Sequence, residues 1–199
     1  INSKDMFIEK YQYYLSSRLL SSNSQDIDME KYIISQIKME CGYSFVSKIE
    51  LMLKDYMLFS ENKRKFNEYI DNNKIDLSHN FSTNVITYGS WPTFRNDKLI
   101  LPKEMSNSIN VYTTYYDKVN PNHKLTWTHQ KDIVHLNGNF NDVEYTIICN
   151  IYQALILLLF NSNNIIDYDT ILKNTGIGDD IIKKILHSLT CSKYKLLKK

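Results

Sequence analysis

Apolar side chains recur every three or four residues through the first third of the chain, a spacing typical of helices with one buried face. The first stripe predicts a helix over residues 4–20, and the second predicts a helix that Asp26 or Asp28 caps. A third and a fourth stripe follow, and the fourth predicted helix begins at Ser60. Residues 1–75 are therefore predicted to form a segment of an antiparallel helical bundle.

The pattern then changes to stretches rich in β-branched and aromatic residues, which are typical of strands. One helix is predicted among them, over 103–119, and a turn is predicted at Asn137–Asn139. The predicted strands are Phe81–Tyr88, Lys124–Thr128, Asp132–Leu136 and Val143–Ile148. Residues 76–148 are therefore interpreted as a small mixed α/β sheet domain with one helix packed on it.

Helical periodicity returns in the last fifty residues, where helices are predicted at 150–160, 168–174 and 179–190. A strand-like stretch at 195–197 completes the pattern, so residues 149–199 are predicted to form a winged-helix unit. The predicted fold class is α+β and mainly helical, with an antiparallel helical bundle, a small mixed α/β sheet domain and then the winged-helix unit.

Composition adds few constraints of its own. The chain has 199 residues, of which 43% are hydrophobic, and a formal charge of +2, so no field of one sign indicates nucleic acid or membrane. The three cysteines are an odd number with no paired spacing, so no disulfide framework is expected, and reduced thiols favour a cytoplasmic or nuclear protein. The longest apolar run is far short of the ~20 residues that cross a bilayer. Because the first residue is Ile1, we expect a piece of a longer chain.

No motif predicts catalysis, a metal or a cofactor. His123, His129 and His135 lie six residues apart, which matches no ligand motif. Gly176-Ile177-Gly178 lacks the third glycine of a dinucleotide loop and is interpreted as a helix stop followed by a helix start. Cys149 has no basic neighbour in the sequence and is interpreted as a structural thiol. We therefore predict a protein that is not an enzyme.

Two binding functions remain open. The last predicted helix exposes Lys183, Lys184 and His187, as a DNA-reading helix would, but Asp179 and Asp180 oppose phosphate.

A small sheet between two helical segments favours the other function, because an open strand edge can accept a strand from a partner. Trp91 and Trp127 flank predicted strands, and both core packing and partner anchoring fit them.

Several short motifs resemble the C-terminal half of a cullin, the scaffold of multi-subunit ubiquitin ligases, and they follow the family's order over nearly the full length. They are Tyr11–Leu20, Glu40–Met52, Gly89–Pro92, Leu101–Glu104, Lys124–Trp127, Gln153–Asn161, Thr175–Ile177 and Leu186–Lys193. Val46 stands where the family usually has Thr, and Asn122-His123 stands where it usually has Gly-Arg.

The resemblance implies a non-catalytic scaffold whose α/β domain takes up a strand of a RING-box protein. That protein would recruit an E2 conjugating enzyme charged with ubiquitin, while substrate adaptors would bind a half of the protein that lies before Ile1. The modified lysine of the family would lie after Lys199, so no modification site is assigned. A cullin-like subunit of the anaphase-promoting complex is the nearer alternative, and a winged-helix DNA-binding protein the further one. The residues predicted to contact the RING-box protein are Phe81, Thr83, Val85, Thr87, Trp91, Leu125 and Trp127.

Overall fold

The computed structural model describes residues 4–21, 26–140, 142–191, 193 and 195–198. The chain forms two compact units, Ile1–Thr93 and Phe94–Lys199. The fold class is α+β and mainly helical, as predicted. No helix in the described ranges combines the length and the apolarity that a membrane span requires.

Three helices build the first unit: α1 (Lys4–Leu20), α2 (Ile27–Cys41) and α3 (Tyr43–Asn73). The start of α2 is fixed by Asp26, whose carboxylate accepts a hydrogen bond of 3.0 Å from the backbone of Met29. The prediction of a new helix at Ser60 is wrong, because α3 continues through this residue for 31 residues in all. Its sequence contains no Gly or Pro, so nothing interrupts the helical hydrogen bonding.

Burial of the helical stripes holds this unit together. Leu15 of α1 and Ile49 and Met52 of α3 have no exposed surface, and burying such side chains is the main favourable term in folding. A charged pair links α1 to α2, since Arg18 lies 2.6 Å from the buried carboxylate of Glu30. A buried charge is tolerated only when it is paired in this way.

The predicted strand Phe81–Tyr88 is not a strand in the structure. The segment is irregular and ends in a turn, although its β-branched and aromatic residues are typical of a strand. The physical reason is that a strand needs a hydrogen-bonded neighbour. The first unit contains no strand in its described residues.

The second unit contains four helices and two strands in its described residues: α4 (Lys103–Val119), β1 (Ile133–Phe140), β2 (Val143–Asn150), α5 (Ile151–Leu159), α6 (Tyr168–Thr175) and α7 (Asp179–Cys191). The strands form an antiparallel hairpin in which Ile133 lies opposite Asn150 and Phe140 lies opposite Val143. This hairpin confirms the strands predicted at Asp132–Leu136 and Val143–Ile148, and both strands extend further than predicted.

Two predictions about this sheet are wrong. Lys124–Thr128 is irregular, as Phe81–Tyr88 is, so the described residues form a sheet of two strands where four were expected. Asn137–Asn139 lies inside β1 and is not a turn. Gly138 serves another purpose there, because a Cβ built on it would lie 2.8 Å from the ring of Phe140. The missing side chain leaves room for that ring.

The hairpin continues directly into the last three helices. Asn150 ends β2 and also caps α5, through a capping box with Gln153. Asp167 caps α6, and Gly176 ends it with a positive φ of 66°. The stretch predicted as strand-like, Lys195–Leu197, forms no strand.

One hydrophobic cluster underlies this unit. Its buried members come from α5, α6 and α7 and from the turn between α6 and α7, and Leu99, Leu101 and Val134 pack against them. Side chains from the predicted sheet domain and from the predicted winged-helix unit therefore share this core. The three-part division proposed from the sequence stays a prediction.

Candidate partner-binding site

The predicted contact residues are divided between the two compact units. Five of them belong to the first unit: Phe81, Thr83, Val85, Thr87 and Trp91. Phe81, Thr83 and Val85 are half-buried, whereas Thr87 is exposed. Leu125 and Trp127 belong to the second unit and are half-buried there.

A single carboxylate fastens the end of the irregular segment to α3. Asp55 accepts hydrogen bonds from the backbone N–H of Thr87 at 2.7 Å and from its hydroxyl at 2.9 Å. It also accepts one from the indole Nε1 of Trp91 at 2.7 Å. A carboxylate can only accept hydrogen bonds, and all three groups that contact Asp55 here are donors.

A tight turn lies between the two residues that Asp55 holds. The backbone N–H of Ser90 donates to the carbonyl of Thr87 at 3.2 Å, and Gly89 supplies the positive φ of 81° that such a turn needs. Gln12 of α1 also donates to the carbonyl of Ser90. Tyr88 lies at the tip of the turn and is fully exposed.

Trp91 is a core residue of the first unit. Only 5% of its surface is exposed, and its ring stacks on Phe59 of α3 with centroids 6.3 Å apart. Its predicted contribution to partner binding is untested, and with this burial it would act by holding the segment in place.

The backbone of residues 82–86 is available for pairing. None of these five residues forms a hydrogen bond with any other described residue. Their side chains alternate between exposed and half-buried from Ser82 to Val85, as in an extended chain. Such a segment has the open donors and acceptors of an unpaired strand.

In the second unit, Trp127 packs edge-on against Tyr112 of α4, with ring centroids 5.8 Å apart, and its Nε1 donates to Thr113 at 3.1 Å. The end of the adjoining segment is fastened to Arg95, whose carbonyl accepts from the Thr128 hydroxyl at 2.9 Å. The backbone of residues 124–126, like that of 82–86, is not hydrogen-bonded to described residues.

The hairpin adds further open backbone. Within the described chain, β1 and β2 pair only with each other, so each has an outer edge. One face of the hairpin is apolar, and toward its tip about half of each side chain is exposed for Phe140, Val143 and Tyr145. The rings of Phe140 and Tyr145 contact each other with centroids 6.0 Å apart.

Three other groups that were considered for chemistry have structural surroundings in the fold. His129 Nδ1 lies 2.7 Å from the carboxylate of Asp132, and no group of potential metal ligands occurs among the described residues. Burial raises the pKa of the Cys149 thiol, the opposite of what activates a nucleophile. On α7, Lys183 is paired with Asp179 at 2.6 Å, which reduces the positive charge available to DNA.

Sequence reasoning missed Asp55 and Gln12. Asp55 looks like an ordinary surface acid of a helix, because its partners lie more than 30 residues away in the chain. Only the two donors, an indole and a turn amide, could have indicated that an acceptor lies close to them.

The fold defines a class of protein in which a helical segment is followed in the chain by an alpha+beta domain. Residues 1–63 match the Cullin alpha solenoid domain family, and residues 85–199 match the Cullin alpha+beta domain family. The chain belongs to the cullin family.

Relatives support this along the whole chain. Cullin-1 of Oryza sativa subsp. japonica is 33% identical over 200 residues, covering 100% of this chain and 27% of the relative. Cullin-2 of Arabidopsis thaliana is 34% identical, covering 99% of this chain and 27% of the relative. Cullin-4A of Mus musculus is 32% identical, covering 99% of this chain and 26% of the relative. The chain spans about a quarter of the length of these relatives.

Proposed function

We propose that this chain is part of the scaffold of a cullin-RING E3 ubiquitin ligase, and that its α/β region binds a RING-box protein by strand addition. The RING-box protein would hold an E2 conjugating enzyme charged with ubiquitin and direct it toward substrate. Substrate adaptors would bind elsewhere in the full protein. A cytoplasmic or nuclear location belongs to the same proposal.

The observation that carries this proposal is the open backbone of residues 82–86, in a chain of the cullin family. Backbone groups that an extended segment leaves unpaired are what an added strand satisfies. Residues 124–126 and the hairpin edges offer the same groups in the second unit.

The scaffold contributes orientation and no covalent step. A small misplacement of reacting groups can lower a rate about 100-fold, so a support that holds its shape is valuable. The continuous helix α3 supplies such a support for the segment that Asp55 holds.

Amide hydrogen exchange tests strand addition directly. On mixing the 199-residue chain with a recombinant RING-box protein, we expect slowed exchange at amides in 82–86, in 124–126 or along the hairpin edges. Amides within α1 are the internal control, since their hydrogen bonds exist already. Binding without new protection in any of these segments would contradict strand addition, and absence of binding would contradict the proposal as a whole.

The two tryptophans provide a second test. Replacing Trp91 or Trp127 by Ala should weaken capture of the RING-box protein, because each indole fixes one of the open segments. Trp→Ala also leaves a cavity that costs about 3–5 kcal/mol, so Trp91→Phe and Trp127→Phe accompany them as milder variants. Equal co-purification yields from wild type and both Ala variants, with helical circular dichroism retained, would refute this role.

A further inference from the structure

We infer that Asp55 is a positioning residue that keeps residues 81–87 stretched out alongside α3, ready to receive a partner strand. This inference rests on the proposed function. It assigns a specific role to an acid in the middle of a helix that no motif singles out.

The segment is attached to α3 at two points. At one end the ring of Phe81 packs against Phe66, with centroids 6.2 Å apart. At the other end Thr87 is bonded to Asp55. The chain therefore runs antiparallel to the helix, from a later helical residue back to an earlier one.

The distances show how far the segment is extended. The 11 steps along α3 from Asp55 to Phe66 rise about 16.5 Å. The six steps from Phe81 to Thr87 span about 20 Å when they are fully extended. A helical path over the same six steps would span only about 9 Å, so the two attachments favour an extended segment.

Extension before binding favours strand addition. A chain that is already extended loses less conformational freedom when a partner strand pairs with it. Asp55 contributes more than one ordinary contact to this state, because its carboxylate holds both Thr87 and Trp91. Hydrogen bonds to a charged acceptor are also stronger than neutral ones.

Substitution of Asp55 by Asn tests the hydrogen bonding of the carboxylate without changing the size of the side chain. Asp55→Asn keeps the shape but places an N–H₂ group against donors, so at least one of the three hydrogen bonds is lost. We expect the Kd of a recombinant RING-box protein for the 199-residue chain to rise about tenfold. Asp55→Glu keeps the carboxylate and should restore part of the affinity. Glu68→Gln, an exposed acid on the same helix, is the matched control and should bind like wild type.

A spectroscopic readout shows whether the carboxylate contact itself is lost. In a Trp127→Phe background the only indole N–H signal in the NMR spectrum comes from Trp91. That signal should move upfield in Asp55→Asn, because its acceptor is no longer charged, and it should stay in place in Glu68→Gln. Far-UV circular dichroism reports whether the helices persist.

The outcomes test the role of Asp55 separately from the proposed binding of a RING-box protein. Weaker binding with a shifted indole signal and intact helices supports the inference. A shifted signal with unchanged affinity overturns it and leaves the proposed function standing, whereas wild type that fails to bind overturns both. If Asp55→Asn loses helicity, Thr87→Val removes one hydrogen bond alone and should weaken binding about threefold. Unchanged affinity in Thr87→Val would then count against the inference.

Discussion

Gly176 shows how much a single position can depend on the absence of a side chain. Its φ of +66° favours glycine, and a Cβ placed there would lie 2.5 Å from the backbone oxygen of Lys98. The neighbouring amide of Ile100 donates to the carbonyl of Thr175 at 2.9 Å. The segment before α4 therefore packs closely against the end of α6, at a distance that only glycine permits.

Gly176→Ala should destabilise the protein by about 2 kcal/mol or more, because it adds left-handed backbone strain to a steric overlap. Urea unfolding measures the change. Gly89→Ala is the matched control, since Gly89 also has a positive φ but has no atom within 4 Å of an added Cβ. Equal losses in the two variants would show that the overlap at Gly176 contributes nothing.

Tyr112 makes stability depend on pH in the alkaline range. It is buried among Tyr115, Tyr116 and Trp127, and this burial raises its pKa from about 10 to about 12. A raised pKa means that the folded state holds the proton more tightly than the unfolded state. The corresponding stability is complete below pH 10 and is lost as the pH rises to about 12.

We expect the urea midpoint of the wild type to fall over that pH interval, and to fall less steeply in Tyr112→Phe, which has no proton to lose. Parallel curves for the two proteins would rule out Tyr112 as the source. The difference in tyrosinate absorbance between wild type and Tyr112→Phe, followed in the same titration, reports when the Tyr112 phenol ionises.

At the scale of elements, the helices were largely predictable, whereas only two of the four predicted strands are present. The apolar stripes place α1, α2 and α4 correctly, since a helix satisfies its backbone within itself. Phe81–Tyr88 and Lys124–Thr128 have the composition of strands. A strand also needs a hydrogen-bonded neighbour, which can be distant in the sequence or belong to another chain, and the local sequence does not show whether one is present. The contact between Asp55 and Trp91 was hidden for the same reason.

The continuity of α3 can be tested at Glu61. In a continuous helix, Glu61→Pro removes a backbone hydrogen bond and costs about 3 kcal/mol. If a new helix began at Ser60, proline at the next position would be tolerated. Thermal melting should therefore show a large loss for Glu61→Pro. Glu61→Ala is the control, because it removes only the exposed ion pair with Lys65. Similar melting of both variants would contradict a continuous helix.

At the scale of the molecule, each compact unit has its own core. The buried cluster of the second unit draws all its members from residues after Phe94. Residues 94–199 expressed alone should therefore keep their hairpin and helices and unfold cooperatively. Near-UV circular dichroism and a calorimetric melt test this expectation. A fragment without a cooperative transition would show that the core is not self-sufficient.

The junction at Asn150 has a mechanical consequence. The same residue ends β2 and caps α5, so no linker separates the hairpin from the helix. A force applied to the hairpin through an attached strand would be transmitted directly to α5, because no flexible linker could extend first. The side chains of α5 belong to the buried cluster. Tension on this hairpin is thus borne by the buried cluster of the unit.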